Sequence, residues 1–292
     1  MNIRFINRYT GEIQIENPPA ERLIKFLYDN PFGRATLLKL VKRKFISQIY
    51  GRKMDKPSSI RKIQKFVDKL GIDISESIKS ISEFSTFNEF FYRKLKPNVR
   101  PIGDGFVSPG DGRLLAFENV SDVNKFYIKG NEFTLDEFLN NKELAEKNKN
   151  SSLIILRLAP NDYHRYHFPY NGKVSESTKI KGKYFSVSPY ALVKNFTKVF
   201  CENKREFCII STEDKGDIIV SPVGATMVGS IIETFKPNSY IKKGDEMGYF
   251  SFGGSTIVML VDKDKIKIDK DILTNTKNNM ETYVKMGDSI GK

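Results

Sequence analysis

The chain has 292 residues, enough for one large core or two modest domains, and 39% of them are apolar, as a folded globular chain requires. Two cysteines, Cys201 and Cys208, are too few for a disulfide framework and read as reduced thiols of a cytosolic protein. The net charge is +13, no run of 18 apolar residues exists to cross a bilayer as a helix, and the first twenty residues lack the apolar core of a secretory signal.

The charge is localised. Residues 31–70 hold twelve Lys/Arg against two acids, Asp55 and Asp68, which points to an anionic partner. From Arg34 to Tyr50, Leu38, Val41, Phe45 and Ile49 recur at helical spacing, with Lys39, Arg43 and Lys44 turned away and Gly51 as the stop. A second helical stripe follows Pro57: Ile60, Ile63, Phe66, Val67 and Leu70. Two readings fit these stripes. The helices lie on an anionic membrane with lysines toward headgroups, or they pack on the protein's own core. No groove-reading motif or aromatic platform accompanies the charge, so nucleic acid is not the expected partner.

Thr86-Phe87-Asn88-Glu89 predicts a capped helix carrying Phe87, Phe90, Phe91 and Leu95, ended by Pro97 and Pro101. The domain boundary is placed near residue 80, separating a basic helical region (1–80) from a catalytic domain (81–292). Beyond Pro101 the texture is strand and turn, with apolar runs at Leu153–Leu158, Phe207–Ile210, Ile218–Val220 and Ile257–Val261 and one helix over Leu135–Asn148. The run from Tyr240 to Gly248 is echoed 43 residues later from Tyr283 to Gly291. Each copy centres on Gly-Asp, which suits a tight turn, and the pair predicts two equivalent hairpins. The expected fold is α+β: N-terminal amphipathic helices, then a mainly β sandwich or flattened barrel with lipoyl-like, quasi-twofold character.

Three segments could carry chemistry. The only two histidines lie together in Tyr163-His164-Arg165-Tyr166-His167-Phe168-Pro169. With no third histidine and no suitably spaced cysteine, a metal site is not expected. Ser108-Pro109-Gly110-Asp111-Gly112 presents a carboxylate on a tight loop, where a simple turn residue is the commoner explanation. Phe252-Gly253-Gly254-Ser255-Thr256 runs straight into a strand-like segment; alone it is a flexible turn. Together the three supply a hydroxyl, a base and an orienting carboxylate, and glycine tolerates the contorted backbone that attack on a preceding carbonyl demands.

These segments, in this order, resemble the phosphatidylserine decarboxylases, pyruvoyl-dependent enzymes of phospholipid synthesis. The resemblance runs from about Phe87 to Val261. It includes Phe90–Lys96 with Arg100-Pro101, Ser108–Leu114, Ile128-Lys129-Gly130, Tyr163–Pro169, Asn203-Lys204-Arg205, Val223–Ser230, Lys243–Gly248 and Gly254-Ser255-Thr256. Where the family often has leucine, this chain has Gly253, a change outside the scissile bond that is expected to be tolerated.

The resemblance implies a charge relay of Asp111, His167 and Ser255 that cuts the proenzyme between Gly254 and Ser255. The two chains, 1–254 (beta) and 255–292 (alpha), would stay together as a heterodimer, with higher assembly open. Ser255 would become a covalent pyruvoyl group that forms a Schiff base with phosphatidylserine and releases phosphatidylethanolamine. His164 is the candidate for assisting decarboxylation or protonation, and Arg93, Arg100 and Arg165 are candidates for the lipid phosphate. A lipid substrate favours the membrane reading of the N-terminus, as a peripheral protein on the cytoplasmic face of an anionic cell membrane. The alternatives are a pyruvoyl decarboxylase of a soluble amino acid, a non-catalytic lipoyl-like binding module, and a serine hydrolase using the same residues in trans.

Overall fold

The computed structural model describes residues 3–16, 49, 51–126, 133–187, 197, 199–225, 231–251, 253 and 255–292. The first expected amphipathic helix, Arg34 to Tyr50, lies almost wholly outside the described residues. Gly51, its expected stop, is itself helical, and the turn continues through 51–54.

The strands in chain order are β1 (Ile3–Asn7), β2 (Ile13–Glu16), β3 (Phe106–Val107), β4 (Gly112–Phe117), β5 (Ser152–Leu158), β6 (Arg165–His167), β7 (Gly172–Val174) and β8 (Thr178–Ile180). They continue as β9 (Arg205–Ser211), β10 (Asp217–Gly224), β11 (Ile231–Glu233), β12 (Tyr240–Ile241), β13 (Glu246–Phe250), β14 (Ser255–Val261), β15 (Glu281–Val284) and β16 (Ser289–Gly291). Eleven form one sheet in the order β12-β7-β9-β10-β14-β5-β4-β15-β1-β2, with β8 also on β9. The sheet is open; it does not close into the flattened barrel offered as one form of the fold. Two small sheets, β11-β13-β6 and β16-β3, complete the β structure.

The central strands are apolar on both sides because both faces are covered. Leu114, Leu156, Ile257, Met259 and Val220 point to one face, where they pack with Phe106, Tyr166, Met247, Phe250 and Ile290 of the small sheets. Their alternates, Leu115, Ile155, Val258, Leu260 and Ile219, point to the other, under Val123, Phe138, Leu139 and Phe200. The expected helix over Leu135–Asn148 is two, Leu135–Leu139 and Lys142–Lys147. Asn140 turns left-handed (φ 48°) and ends the first, and Asn141 caps the second through its side chain.

The echoed segments are equivalent turns but not hairpins. In each, Gly244 (φ 88°) or Gly287 (φ 86°) takes the left-handed position, and Asp245 or Asp288 accepts a hydrogen bond from the amide of Lys242 or Lys285. The flanking strands do not pair with each other. β12 joins β7 and β13 joins β6, while β15 joins β4 and β16 joins β3. Each turn thus carries the chain from the large sheet to a small one. The partner strands repeat as well: Ser108-Pro109-Gly110-Asp111-Gly112 corresponds to Phe168-Pro169-Tyr170-Asn171-Gly172. The Ser108 and Phe168 amides donate to the carbonyls of Asp288 and Asp245, and the Asp111 and Asn171 side chains accept from the amides of Met286 and Lys243. The quasi-twofold character is therefore present, built from interleaved segments.

The helix Ile63–Leu70 ends at left-handed Gly71 (φ 61°). Its apolar stripe faces the protein. Ile63 and Val67 are buried with Met54, Phe84, Phe87, Phe90 and Phe91, and Phe66 packs edge-on against Phe87 at 5.1 Å. For this second helix the apolar face is spent on the protein's own core, which corrects the apolar-side-down reading on a membrane. The cluster joins residues on both sides of position 80. The helix begun at Thr86 covers only Phe87–Phe91. Thr86 caps Glu89, while Glu89 turns back to the Ser85 amide, and Leu95 instead bridges Ser77.

Candidate active site

Ser255 opens β14, paired with Gly224 of β10 on one side and Leu158 of β5 on the other, and no part of it is exposed. Just upstream, Gly253 has φ 139°, a backbone conformation that L side chains rarely adopt. Glycine at this position allows that conformation two residues before Ser255.

The Ser255 hydroxyl lies 3.3 Å from His164 Nδ1. His164 is fully buried, stacked on Phe91 with ring centres 3.9 Å apart. Among the described residues its Nε2 has no hydrogen-bond partner. Burial chiefly, and then the positive charge of Arg93, push the imidazole pKa down to about 3, against a pull upward from the Ala159 carbonyl. His164 is thus neutral at pH 7 and able to accept a proton.

His167 is held elsewhere. Its Nδ1 lies 2.9 Å from the Gly244 carbonyl and its Nε2 3.2 Å from the Tyr163 hydroxyl. A carbonyl only accepts, so Nδ1 carries the proton and Nε2 accepts from Tyr163. Burial is the main cause that lowers its pKa, opposed by the Gly244 carbonyl and Glu246.

Asp111 is buried in the turn between β3 and β4. Its carboxylate accepts from Arg100 Nε at 3.0 Å, from a terminal Arg100 nitrogen at 2.7 Å and from the Met286 amide at 2.8 Å. Arg100 reaches Glu76 with its other edge, at 2.7 and 3.0 Å, and these carboxylates raise its pKa despite burial. Arg165 is also committed: one terminal nitrogen reaches both Glu246 carboxylate oxygens at 2.9 Å, and Nε donates to the Tyr92 carbonyl. Arg93 makes no hydrogen bond or ion pair among the described residues.

The structure therefore brings together Ser255 with His164, and Asp111 with Arg100. Among the described hydrogen bonds, none joins His167 to Ser255 or to Asp111. Sequence reasoning missed Tyr163, Phe91, Glu76 and Glu246. Tyr163 stands in the histidine segment four residues before His167, a spacing that could have flagged it. Nothing in the sequence marks Glu76, which arrives from the helical region.

The family model described as phosphatidylserine decarboxylase matches residues 87–292. The chain belongs to the phosphatidylserine decarboxylase family. It is 52% identical to the phosphatidylserine decarboxylase proenzyme of Fusobacterium nucleatum subsp. nucleatum over 292 residues, covering 99% of this chain and 97% of that one. It is 46% identical to the proenzyme of Clostridium novyi, covering 99% of both chains. It is 45% identical to that of Desulfitobacterium hafniense, over 99% of this chain and 98% of that one. A pyruvoyl group made from the serine that opens β14 fits the surroundings of Ser255. The site is buried, and among the described residues His164 Nε2 and Arg93 Nε have no hydrogen-bond partner.

Proposed function

We propose that this chain is a self-cleaving proenzyme whose mature form decarboxylates phosphatidylserine to phosphatidylethanolamine. The observation that carries this reading is the buried Ser255 hydroxyl against a neutral imidazole, two residues after the bend at Gly253, in a member of this family.

A histidine takes the Ser255 hydroxyl proton as the oxygen attacks the Gly254 carbonyl, and the acyl group passes from nitrogen to oxygen as an ester. Elimination across Cα–Cβ of residue 255 frees the Gly254 carboxylate and leaves a dehydroalanine. Water converts that terminus to the pyruvoyl group and ammonia. The group supplies an electrophilic carbonyl that condenses with the substrate amine and draws off electrons as CO₂ leaves. The chain's own part is to bury this site, keep bulk water out and hold a proton acceptor beside it.

Two assignments of the base are open to test. In the relay of Asp111, His167 and Ser255, His167 must leave Tyr163 for Ser255 and Asp111 must turn from Arg100, and His164 then serves the decarboxylation step. The 3.3 Å contact to Ser255 favours His164 itself as the base. Denaturing intact-mass analysis separates them. Ser255→Ala remains one chain under either. His167→Ala remains uncut under the relay, whereas His164→Ala remains uncut under the second. A wild type recovered as one unmodified chain would overturn the proenzyme reading, and activity on free serine but not on the lipid would replace the substrate.

The two chains, 1–254 and 255–292, remain together as a heterodimer, and the basic region holds the enzyme to the cytoplasmic face of an anionic membrane. The local excess of ten positive charges in residues 31–70 supports this, and no helix among the described residues is long and apolar enough to cross a bilayer. Binding to phosphatidylserine vesicles is expected to weaken as salt rises from 50 to 500 mM, by roughly tenfold or more. Salt-independent binding would point to insertion instead.

A further inference from the structure

Of the three arginines offered by the sequence for the lipid phosphate, two are spoken for: Arg100 by Asp111 and Glu76, Arg165 by Glu246 and the Tyr92 carbonyl. Arg93 follows the helix Phe87–Phe91 and is 6% exposed. Its Nε touches neither a partner nor solvent, and its guanidinium lies 5.4 Å from the Phe90 ring centre. The acids around it are occupied elsewhere. Asp111 and Glu76 hold Arg100, and Asp162 holds Arg113. For Arg93 burial outweighs the pull of Asp111, Asp162 and Glu76 and lowers the pKa, whereas for Arg100, Arg113 and Arg157 the paired carboxylates outweigh burial and raise it. A buried cation without a counter-ion is costly unless an anion joins it. Its charge also reaches His164, whose Nε2 is a second buried atom without a hydrogen-bond partner among the described residues.

We propose that Arg93 binds the phosphodiester of the lipid headgroup. This rests on the decarboxylase reading above. That substrate offers two anions, a carboxylate and a phosphodiester. The carboxylate loses its charge as CO₂ departs, so a guanidinium paired with it would hold the ground state more tightly than the transition state and slow the step. The phosphodiester keeps its charge from substrate to product. A guanidinium there anchors the lipid throughout, and its planar fork matches two phosphate oxygens.

The test uses the full-length, self-cleaved enzyme with phosphatidylserine in mixed micelles, comparing wild type, Arg93→Met and Arg93→Lys. Intact mass first establishes the cut and the pyruvoyl terminus in each. Arg93→Met is expected to raise KM about 10- to 100-fold with kcat within about threefold, and Arg93→Lys to fall between. Phosphatidylethanolamine carries the phosphodiester but no carboxylate, so its inhibition constant should rise by the same factor as KM. A raised KM with unchanged inhibition by phosphatidylethanolamine would assign Arg93 to the carboxylate and overturn the proposal. So would kinetics unchanged in both variants, or a folded Arg93→Met that stays uncut, which would place the guanidinium in self-cleavage. A self-cleaved wild type inactive on phosphatidylserine would instead sink the decarboxylase reading, and this inference with it.

Discussion

His164 and His167 lie three residues apart and meet different surroundings, one an aromatic wall and a serine, the other a carbonyl and a phenol. Both are buried neutral, with folded pKa values below the ordinary value near 6.5. The unfolded chain therefore binds more protons as pH falls through 6.5, and folding stability is lost from there toward about 3. In urea titrations of the uncut Ser255→Ala protein, the midpoint is expected to drop between pH 7.5 and 5, and less so in a Ser255→Ala, His164→Phe double variant. The same neutrality bears on chemistry. If His164 is the base, cleavage of freshly folded proenzyme should show no inflection near pH 6.5 and slow only in much more acid solution. An inflection at 6.5 would mean that an exposed, ordinary imidazole does the work. At this scale the sequence singled out both histidines, because only two exist to choose from. It was a poor guide to their partners: Phe91 and the Gly244 carbonyl reach them from segments whose pattern speaks only of helix and turn.

The echoed turns show where reading by element succeeds and fails. Gly-Asp after two lysines or Lys-Met prescribes a left-handed glycine and a side-chain-capped turn, which is local chemistry and is found at Gly244 and Gly287. Which strand lies beside which is decided by packing across the whole sheet, and there the hairpin expectation failed. A Cβ at Gly287 would meet the Pro101 carbonyl oxygen at 2.4 Å, while one at Gly11 (φ 71°) meets nothing within 4 Å. Gly287→Ala is therefore expected to cost clearly more than the roughly 1 kcal/mol of left-handed strain alone, and Gly11→Ala about that amount, both measured by denaturant unfolding of the uncut protein. Equal losses would mean that the turn near Pro101 relaxes freely. The correspondence of Asp111 with Asn171 carries a second expectation. An amide already serves the turn at Asn171, so Asp111→Asn should fold with a loss of about 1–2 kcal/mol from the weakened Arg100 pair. If its self-cleavage is then as fast as wild type, Asp111 is a turn residue and not part of a relay.

For the whole molecule, the strand-rich body with few helices was legible from apolar runs between turn residues. The long-range ties were not. Arg157 in β5 forks onto Glu16, at 2.6 and 3.0 Å, and onto Glu281, at 2.6 and 2.9 Å, linking three segments far apart in the chain. No periodicity encodes such a contact, because charged residues at strand ends look alike whether solvated or paired.

β14 lies between β10 and β5, and the proposed cut falls at its first residue. Beyond the cut, β15 is held between β4 and β1, and β16 lies on β3. The 38 residues from Ser255 onward are thus woven through the larger fragment, and removing them would open the large sheet through its middle. The intact chain reaches this arrangement by a first-order search. After cutting, the same arrangement from denaturant requires two molecules to meet. Refolding yield of Ser255→Ala should be independent of dilution, while that of the cut enzyme should fall as protein concentration is lowered; matching behaviour would show that the small fragment is not needed for assembly. The proposed maturation would then trade renewability for chemistry: each active enzyme would be folded once, as a single chain, and its two pieces would keep a topology that separately they could not readily regain.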